Sequence, residues 1–202
     1  MFEIELKYPV DDPTLLRQNL HRLQARPLPT QNHVDVYYRH PSRNFAETGE
    51  ALRIRRVDGQ PYVTYKGPKT HVNTATAQGI KVRRELEWPL FPGDPHGEQM
   101  SSLLAFLGFT QVAEVAKRRE PFEIYLGNKS AAGAAEGRLV TVTVDTVECL
   151  GTYAEIESIA SSDTDRPAAI EAVSQLAGQL ELGPPEPKSY LRMVLEKIEK
   201  KC

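Results

Sequence analysis

Phe2-Glu3-Ile4-Glu5-Leu6-Lys7-Tyr8 alternates strictly between apolar and charged side chains. Period two belongs to a β-strand, so Phe2, Ile4, Leu6 and Tyr8 share one face and Glu3, Glu5 and Lys7 the other. A strand with one solvated face would account for the charges, but poorly. Residues i and i+2 lie about 7 Å apart along a strand, where Glu3 and Glu5 repel each other. Glutamate is also a weak strand former beside the β-branched residues. Paired carboxylates at this spacing make sense around a hard divalent cation, which takes oxygen ligands.

The same alternation recurs along the chain. In 51–57, Arg53 and Arg55 oppose Leu52 and Ile54, and Asp58-Gly59 then makes a two-residue hairpin turn. In 62–66, Thr64 and Lys66 oppose Val63 and Tyr65; in 81–88, Lys81, Arg83, Glu85 and Glu87 oppose Val82, Leu86 and Trp88. Lys117 and Arg119 pair in 111–119, and 122–126 reads as a further strand. Thr141, Thr143 and Asp145 oppose three valines in 139–147, and Glu155 with Glu157 opposes Ala154 and Ile156 in 153–159. Residues 34–39 complete a set of about eight strands.

Helices are expected after Asp11-Asp12-Pro13 up to Arg26, over 95–107 with a stop at Gly108, over 166–182 with a stop at Gly183, and over 188–201. Residues 41–50, 67–79 and 128–137 read as loops, and the second as a mobile excursion. Short turns between successive strands imply an antiparallel sheet, and closure removes its edges. The helices carry apolar stripes that must be covered, and only the outside of the sheet is available. The expected fold is therefore α+β: a closed eight-stranded antiparallel β-barrel, turned inside out. Its apolar faces lie outward beneath the helices and its charged faces line a wet tunnel. Acids and bases in similar number suit a ligand needing both, a polyphosphate with its divalent metal.

Composition bounds the reading further. The chain has 202 residues, 40% hydrophobic and 26% charged, consistent with one domain over 1–202. A formal charge of −2 leaves no basic footprint, so nucleic acid is not expected as a partner. Cys149 and Cys202 form neither a disulfide framework nor a zinc pattern and fit a reducing cytoplasm. No leader or apolar run of membrane-spanning length is present, so a soluble cytoplasmic protein is expected. His21, His33, His40, His71 and His96 lack metal-ligand spacing and read as solvated. Arg43 and Lys69, in loops, read as surface charges within reach of phosphates.

These motifs together resemble the CYTH superfamily, the triphosphate tunnel metalloenzymes. Glu3-x-Glu5-x-Lys7 is similar to its ExExK signature. Asp35-x-Tyr37-Tyr38, Leu52-Arg53-Ile54-Arg55, Thr64-Tyr65-Lys66-Gly67-Pro68, Arg83-x-Glu85-x-Glu87, Lys117-x-Arg119, Asp145, Glu155-x-Glu157 and Lys188-Ser189-Tyr190 follow in order. The resemblance covers almost the whole chain and implies an eight-stranded barrel with a charged tunnel. It implies Mg²⁺ or Mn²⁺ held by Glu3, Glu5, Asp145, Glu155 and Glu157, with Glu85 and Glu87 binding a second ion or orienting the bases. Arg53, Arg55, Lys66, Arg83, Lys117, Arg119 and Lys188 would bind the triphosphate. Lys7, with Tyr37 or Tyr38, would touch a phosphate or position a nucleophile. The class IV adenylyl cyclase branch is the most similar, implying ATP as substrate and cyclic AMP with pyrophosphate as products. That branch often carries a His-Phe pair before ExExK, and here no histidine precedes Glu3. Triphosphatase action on thiamine triphosphate, tripolyphosphate or a nucleoside triphosphate therefore stays open, as does a non-catalytic polyphosphate binder. The tunnel acids argue against the last, because a pure anion binder gains nothing from them. The resemblance admits a homodimer and leaves the oligomeric state open.

Overall fold

A computed structural model describes residues 2–74, 78–127 and 137–200. Its elements in order are β1 (Phe2–Pro9), α1 (Pro13–Arg22), β2 (Arg26–Pro27), β3 (Gln31–Arg39), α2 (Phe45–Thr48), β4 (Ala51–Val57), β5 (Gln60–Lys66) and β6 (Thr70–Val72). There follow β7 (Ile80–Pro89), α3 (Glu98–Phe106), β8 (Thr110–Leu126), β9 (Arg138–Val147), β10 (Gly151–Ala160), α4 (Arg166–Gln179) and α5 (Tyr190–Glu199). Eight strands form a ring in the order β1-β10-β9-β8-β3-β4-β5-β7, which β7 closes by pairing with β1. Every pairing is antiparallel, and β2 and β6 hang on the ring as short additions to β8 and β7.

The barrel is inverted, as the alternation requires. The outward apolar faces of β1, β9 and β10 supply Ile4, Leu6, Val140, Val142, Val144, Ala154 and Ile156, all inaccessible to solvent. They pack under α4 through Ala169, Val173 and Leu176, and with Leu16 and Leu20 of α1. On the opposite side Leu104 of α3 covers Tyr38 and Ile54. The helices replace water on the outer wall, which leaves the charged faces no direction but inward.

Several boundaries differ from expectation for identifiable reasons. Residues 111–119 and 122–126 form one strand, β8, continuous through Pro121. Pairing with β3 ends at Arg119 and pairing with β2 covers Phe122 and Glu123, so Pro121 falls in the gap between the two partners, where its carbonyl accepts from Leu28 N at 2.9 Å and its missing N–H is tolerated. The third helix starts at Glu98 rather than near residue 95, because Gly97 adopts φ 74°; a Cβ there would meet Ile54 Cγ2 at 3.0 Å. The fourth ends at Gln179, and Glu181 at φ 54° makes the left-handed turn expected of Gly183. The expected excursion at 67–79 contains β6 beside β7, and the expected loop at 41–50 contains α2. Residues 75–77, 201, Cys202 and almost all of the 128–137 loop lie outside the described residues. Asp58 and Gly59 take φ 47° and 87°, the left-handed pair that a tight hairpin needs. Among the described residues no helix is long and apolar enough to cross a membrane.

Candidate functional site

The β1 ladder sets the acidic wall. Across one edge Glu3 faces Arg83 and Glu5 faces Lys81 on β7; across the other Glu5 faces Glu157 and Lys7 faces Glu155 on β10. Directly opposed side chains have Cβ atoms about 5 Å apart, so Glu5 and Glu157 would repel without positive charge between or above them. Cations supply part of it. Glu3 accepts from Lys66 Nζ at 2.6 Å and Arg83 Nε at 2.9 Å, and Glu5 from Lys81 Nζ at 2.9 Å and Arg83 Nη2 at 3.4 Å. Lys66 also reaches Glu85 Oε2 at 3.0 Å. Burial works to raise Glu3, yet Lys66 and Arg83 outweigh it and hold the carboxyl at about 2. Glu5 is likewise held well below the usual range, with Lys81 and Arg83 overcoming burial.

Glu157 behaves oppositely. Burial, then the nearby Glu3, push its carboxyl up to about 8, and among the described residues it forms no ion pair. Glu3, Glu5 and Glu155 each have a paired cation, whereas Glu157, like Glu87 toward the exposed end of β7, has none among the described residues.

The basic wall is built from behind by two aspartates. Asp35 of β3 accepts from Arg55 at 2.6 and 2.7 Å and from Arg53 Nη1 at 3.1 Å. Asp145 of β9 accepts from Arg119 at 2.8 and 2.6 Å, from Lys117 Nζ at 2.7 Å and from the Tyr190 hydroxyl at 3.1 Å. Both aspartates are buried and neither lines the cavity; burial works to raise each, but the arginines beside them hold both far below the carboxylate range. Arg119 also pairs with Glu155. The four cations are thereby fixed with little rotamer freedom left to lose when an anion arrives.

At one end Tyr190, the first residue of α5, closes the barrel. Lys7 Nζ lies 4.3 Å and Lys117 Nζ 5.0 Å from its ring centroid. Lys7 donates to the Lys188 carbonyl, and burial, with Lys81 next, lowers its ammonium to about 8. The Tyr37 hydroxyl accepts from Arg53 Nη1 at 3.3 Å, leaving its proton free to donate inward. Tyr37 faces inward by the same alternation that aims Asp35, while Tyr38 turns with Val36 to the α3 side; the register shift beside them falls on β8, where Val112 is skipped.

These side chains surround one cavity of about 590 Å³. Of the sixteen residues expected at the site, it gathers Glu3, Glu5, Lys7, Tyr37, Arg53, Arg55, Lys66, Arg83, Glu85, Glu87, Lys117, Arg119, Glu155 and Glu157. Asp145 stands behind the wall. Lys188 lies outside, its Nζ 2.7 Å from Glu196 Oε2. Two lysines join the lining beyond those expected. Lys81 shares Arg83's face, so period two already marked it, whereas Lys69 comes from the segment before β6 and period counting could not aim it. Lys69 is half-buried, and burial with Arg83 next lowers its ammonium to about 8. Leu86, Glu87 and Trp88 stand toward the exposed end of β7.

His33 is a correction: it is buried rather than solvated, with Nε2 3.0 Å from Gln31 Oε1 and Nδ1 without a partner. Burial, followed by Arg55 and Arg119, holds its imidazole down at about 2, so it is neutral in the fold. The unfolded chain takes up that proton near 6.5, so the penalty is absent above 6.5 and grows below it by up to about 1.4 kcal/mol per pH unit. His33→Gln should gain stability relative to the parent as pH falls from 7 to 5, read from urea midpoints. A difference that stays constant over that range rejects a neutral His33.

The carboxylates fit a metal ion in a particular way. Among the described residues no group of three or more His, Cys, Asp or Glu forms a ready cage. Mg²⁺ does not need one: it keeps several waters and is commonly held by one or two carboxylates together with substrate phosphates. The oxygen-only donors and the uncompensated Glu157 suit such a shared ion.

Comparison with known proteins agrees with this geometry. The family profile described as CYTH domain matches residues 1–190. A Methanocaldococcus jannaschii protein named "Putative adenylate cyclase" is 30% identical over 195 residues, covering 96% of this chain and 98% of that one. A solved Pyrococcus horikoshii structure is 32% identical with a TM-score of 0.75, covering 96% and 99% of the two chains. A Hippeastrum structure, described as a "putative adenylyl cyclase" with a dominant triphosphatase activity, shares the fold at 17% identity and a TM-score of 0.60, covering 98% and 96%. Because the profile runs from β1 to the first residue of α5, across every strand that builds the tunnel, this chain belongs to the CYTH domain family.

Proposed function

We propose that the chain is a divalent-metal-dependent enzyme acting on a triphosphate bound inside the barrel, most like a class IV adenylate cyclase. One observation carries this: a single cavity is lined by nine cationic and six acidic side chains. The excess of positive charge selects a polyanion, and the interleaved acids need a cation that the polyanion brings with it. Residues 1–202 form one domain of a cytoplasmic protein in this reading.

Arg53, Arg55, Lys117 and Arg119 hold phosphoryl oxygens from one wall, with Asp35 and Asp145 orienting them. Lys66 and Arg83 do so from the other, and Lys69 and Lys81 add charge. Glu3, Glu5, Glu155 and Glu157 would hold the ion, with Glu85 and Glu87 toward the mouth. A bound Mg²⁺ or Mn²⁺ supplies charge stabilisation to the phosphoryl oxygens in the transition state. In the cyclase reaction the ribose 3′-oxygen of ATP bonds to the α-phosphorus while the bond to the leaving pyrophosphate breaks. Lys7, which loses its own proton near 8, accepts the 3′-hydroxyl proton, and Tyr37 orients the group by hydrogen bonding. The name borne by the 30%-identical relative supports this direction. In the triphosphatase alternative, water attacks the terminal phosphorus on the same charged walls.

The test is incubation of the pure protein with ATP, thiamine triphosphate and tripolyphosphate, with Mg²⁺, with Mn²⁺ and with chelator. Cyclic AMP with pyrophosphate is the expected product from ATP. Orthophosphate alone would replace the cyclase with the triphosphatase, and no turnover of any substrate would overturn both.

A further inference from the structure

One face of the helical layer is left uncovered. The inner stripe of α3 is fully used: Leu104 packs on Tyr38 and Ile54 with Met100 and Phe109 beside it, and the Tyr38 hydroxyl donates to Ser101 Oγ at 3.0 Å. A second stripe turns away from the barrel. Leu103, Phe106 and Leu107 stand at i, i+3 and i+4, neighbours on a helix surface, and are 49%, 90% and 59% exposed. Among the described residues no other large apolar side chain is as exposed as Phe106. The sequence around it is as distinctive: from Gln99 to Ala113 there is no charged residue and no histidine, in a chain that is 26% charged. A surface helix carries charged and polar residues on the side it turns to solvent, and this one does not.

We propose that the stripe is the interface of a homodimer, with α3 packing on α3 of a second copy across a two-fold axis. Charge and area both select that occupant. In an isologous contact the same patch faces itself, so a charged helix would oppose its own sign. A run without ionisable groups meets no such repulsion, and it offers nothing to an acidic or basic partner. Burying Phe106 removes about 200 Å² from water on each copy. With Leu103 and Leu107 the stripe supplies about 400 Å² per copy and about 800 Å² for the pair, close to the apolar share of a standard interface of about 1,200–1,600 Å² in total. The contact stands one layer behind the cavity. Strands β3 and β4 carry Tyr38 and Ile54 on the side that α3 covers, and Tyr37, Arg53 and Arg55 on the side that lines the cavity. Dimerisation through α3 therefore buttresses the basic wall from outside.

Sedimentation velocity of the full chain tests this from about 1 to 100 μM, a range that reaches the weakest affinities expected of an interface this size. The parent should sediment at twice the chain mass at the upper concentrations. Phe106→Glu and Leu103→Glu should each raise the dimer Kd by about thirtyfold or more, the effect of removing an anchor from the centre of an interface. Far-UV circular dichroism should stay unchanged in both. Leu15→Glu, which alters a leucine on α1 that is 52% exposed, should leave the dimer as it is. A parent that stays monomeric at 100 μM would leave the face to a different partner and overturn the assignment. A dimer that survives Phe106→Glu, equal dissociation in the Leu15→Glu protein, or dissociation only with loss of the circular dichroism signal would each overturn it too.

Discussion

Glu5→Gln should lower metal-dependent turnover by about a hundredfold or more, the scale on which one positioned charge-stabilising group matters in an active site. The substitution keeps the shape and a hydrogen-bonding oxygen for Lys81 but removes the negative charge that an ion would use. It also leaves Lys81 and Arg83 short of one counter-charge in a closed interior. Stability should therefore fall as well, by less than truncation would cost, because the amide still accepts from Lys81. Activity titrated against Mg²⁺ separates the effects: a lost ligand raises the requirement or abolishes the response, whereas a purely structural loss leaves the midpoint unchanged. Turnover close to that of the parent, with the same Mg²⁺ midpoint, would remove Glu5 from the ion's ligands.

Asp145→Asn should have the largest effect on stability, about 3–5 kcal/mol, the usual cost of removing one partner from a buried ionic cluster. Lys117, Arg119 and Tyr190 all lean on this carboxylate, which is itself wholly inaccessible. Its folded value is depressed, so the stability it contributes is fully present above the unfolded carboxylate range and is lost as pH falls through the folded value. The gap between parent and variant, measured by urea unfolding, should be widest at neutral pH and shrink below about pH 4. A variant within 1 kcal/mol of the parent at pH 7 that has lost its metal response would instead make Asp145 an ion ligand, as the family resemblance implies.

The contrast between these two acids shows what could be read without coordinates. Both occupy the charged face of an alternating strand, and period two sorts faces by simple geometry, since successive Cβ atoms point opposite ways. The inverted barrel, its closure and thirteen of the fourteen expected residues that line the cavity followed from that rule; the other, Tyr37, came from the family resemblance. At the Asp58-Gly59 turn, where the hairpin demands a left-handed pair, the structure matches the sequence rule.

Alternation says which face a side chain is on, but not how far it reaches or what already holds it. Asp145 is consumed by the cations beside it and Glu157 is not, a difference set by neighbours on β8 and α5 that are distant in sequence. Lys69, Lys188 and Tyr190 come from loops and from a helix end, whose directions no local periodicity constrains. The chain by itself determined the barrel and the sign of each wall, because strand periodicity is a local property of the backbone. Only the tertiary structure decided which charges remain available to a ligand and what lies beside them, because pairing and burial depend on segments that meet only after folding.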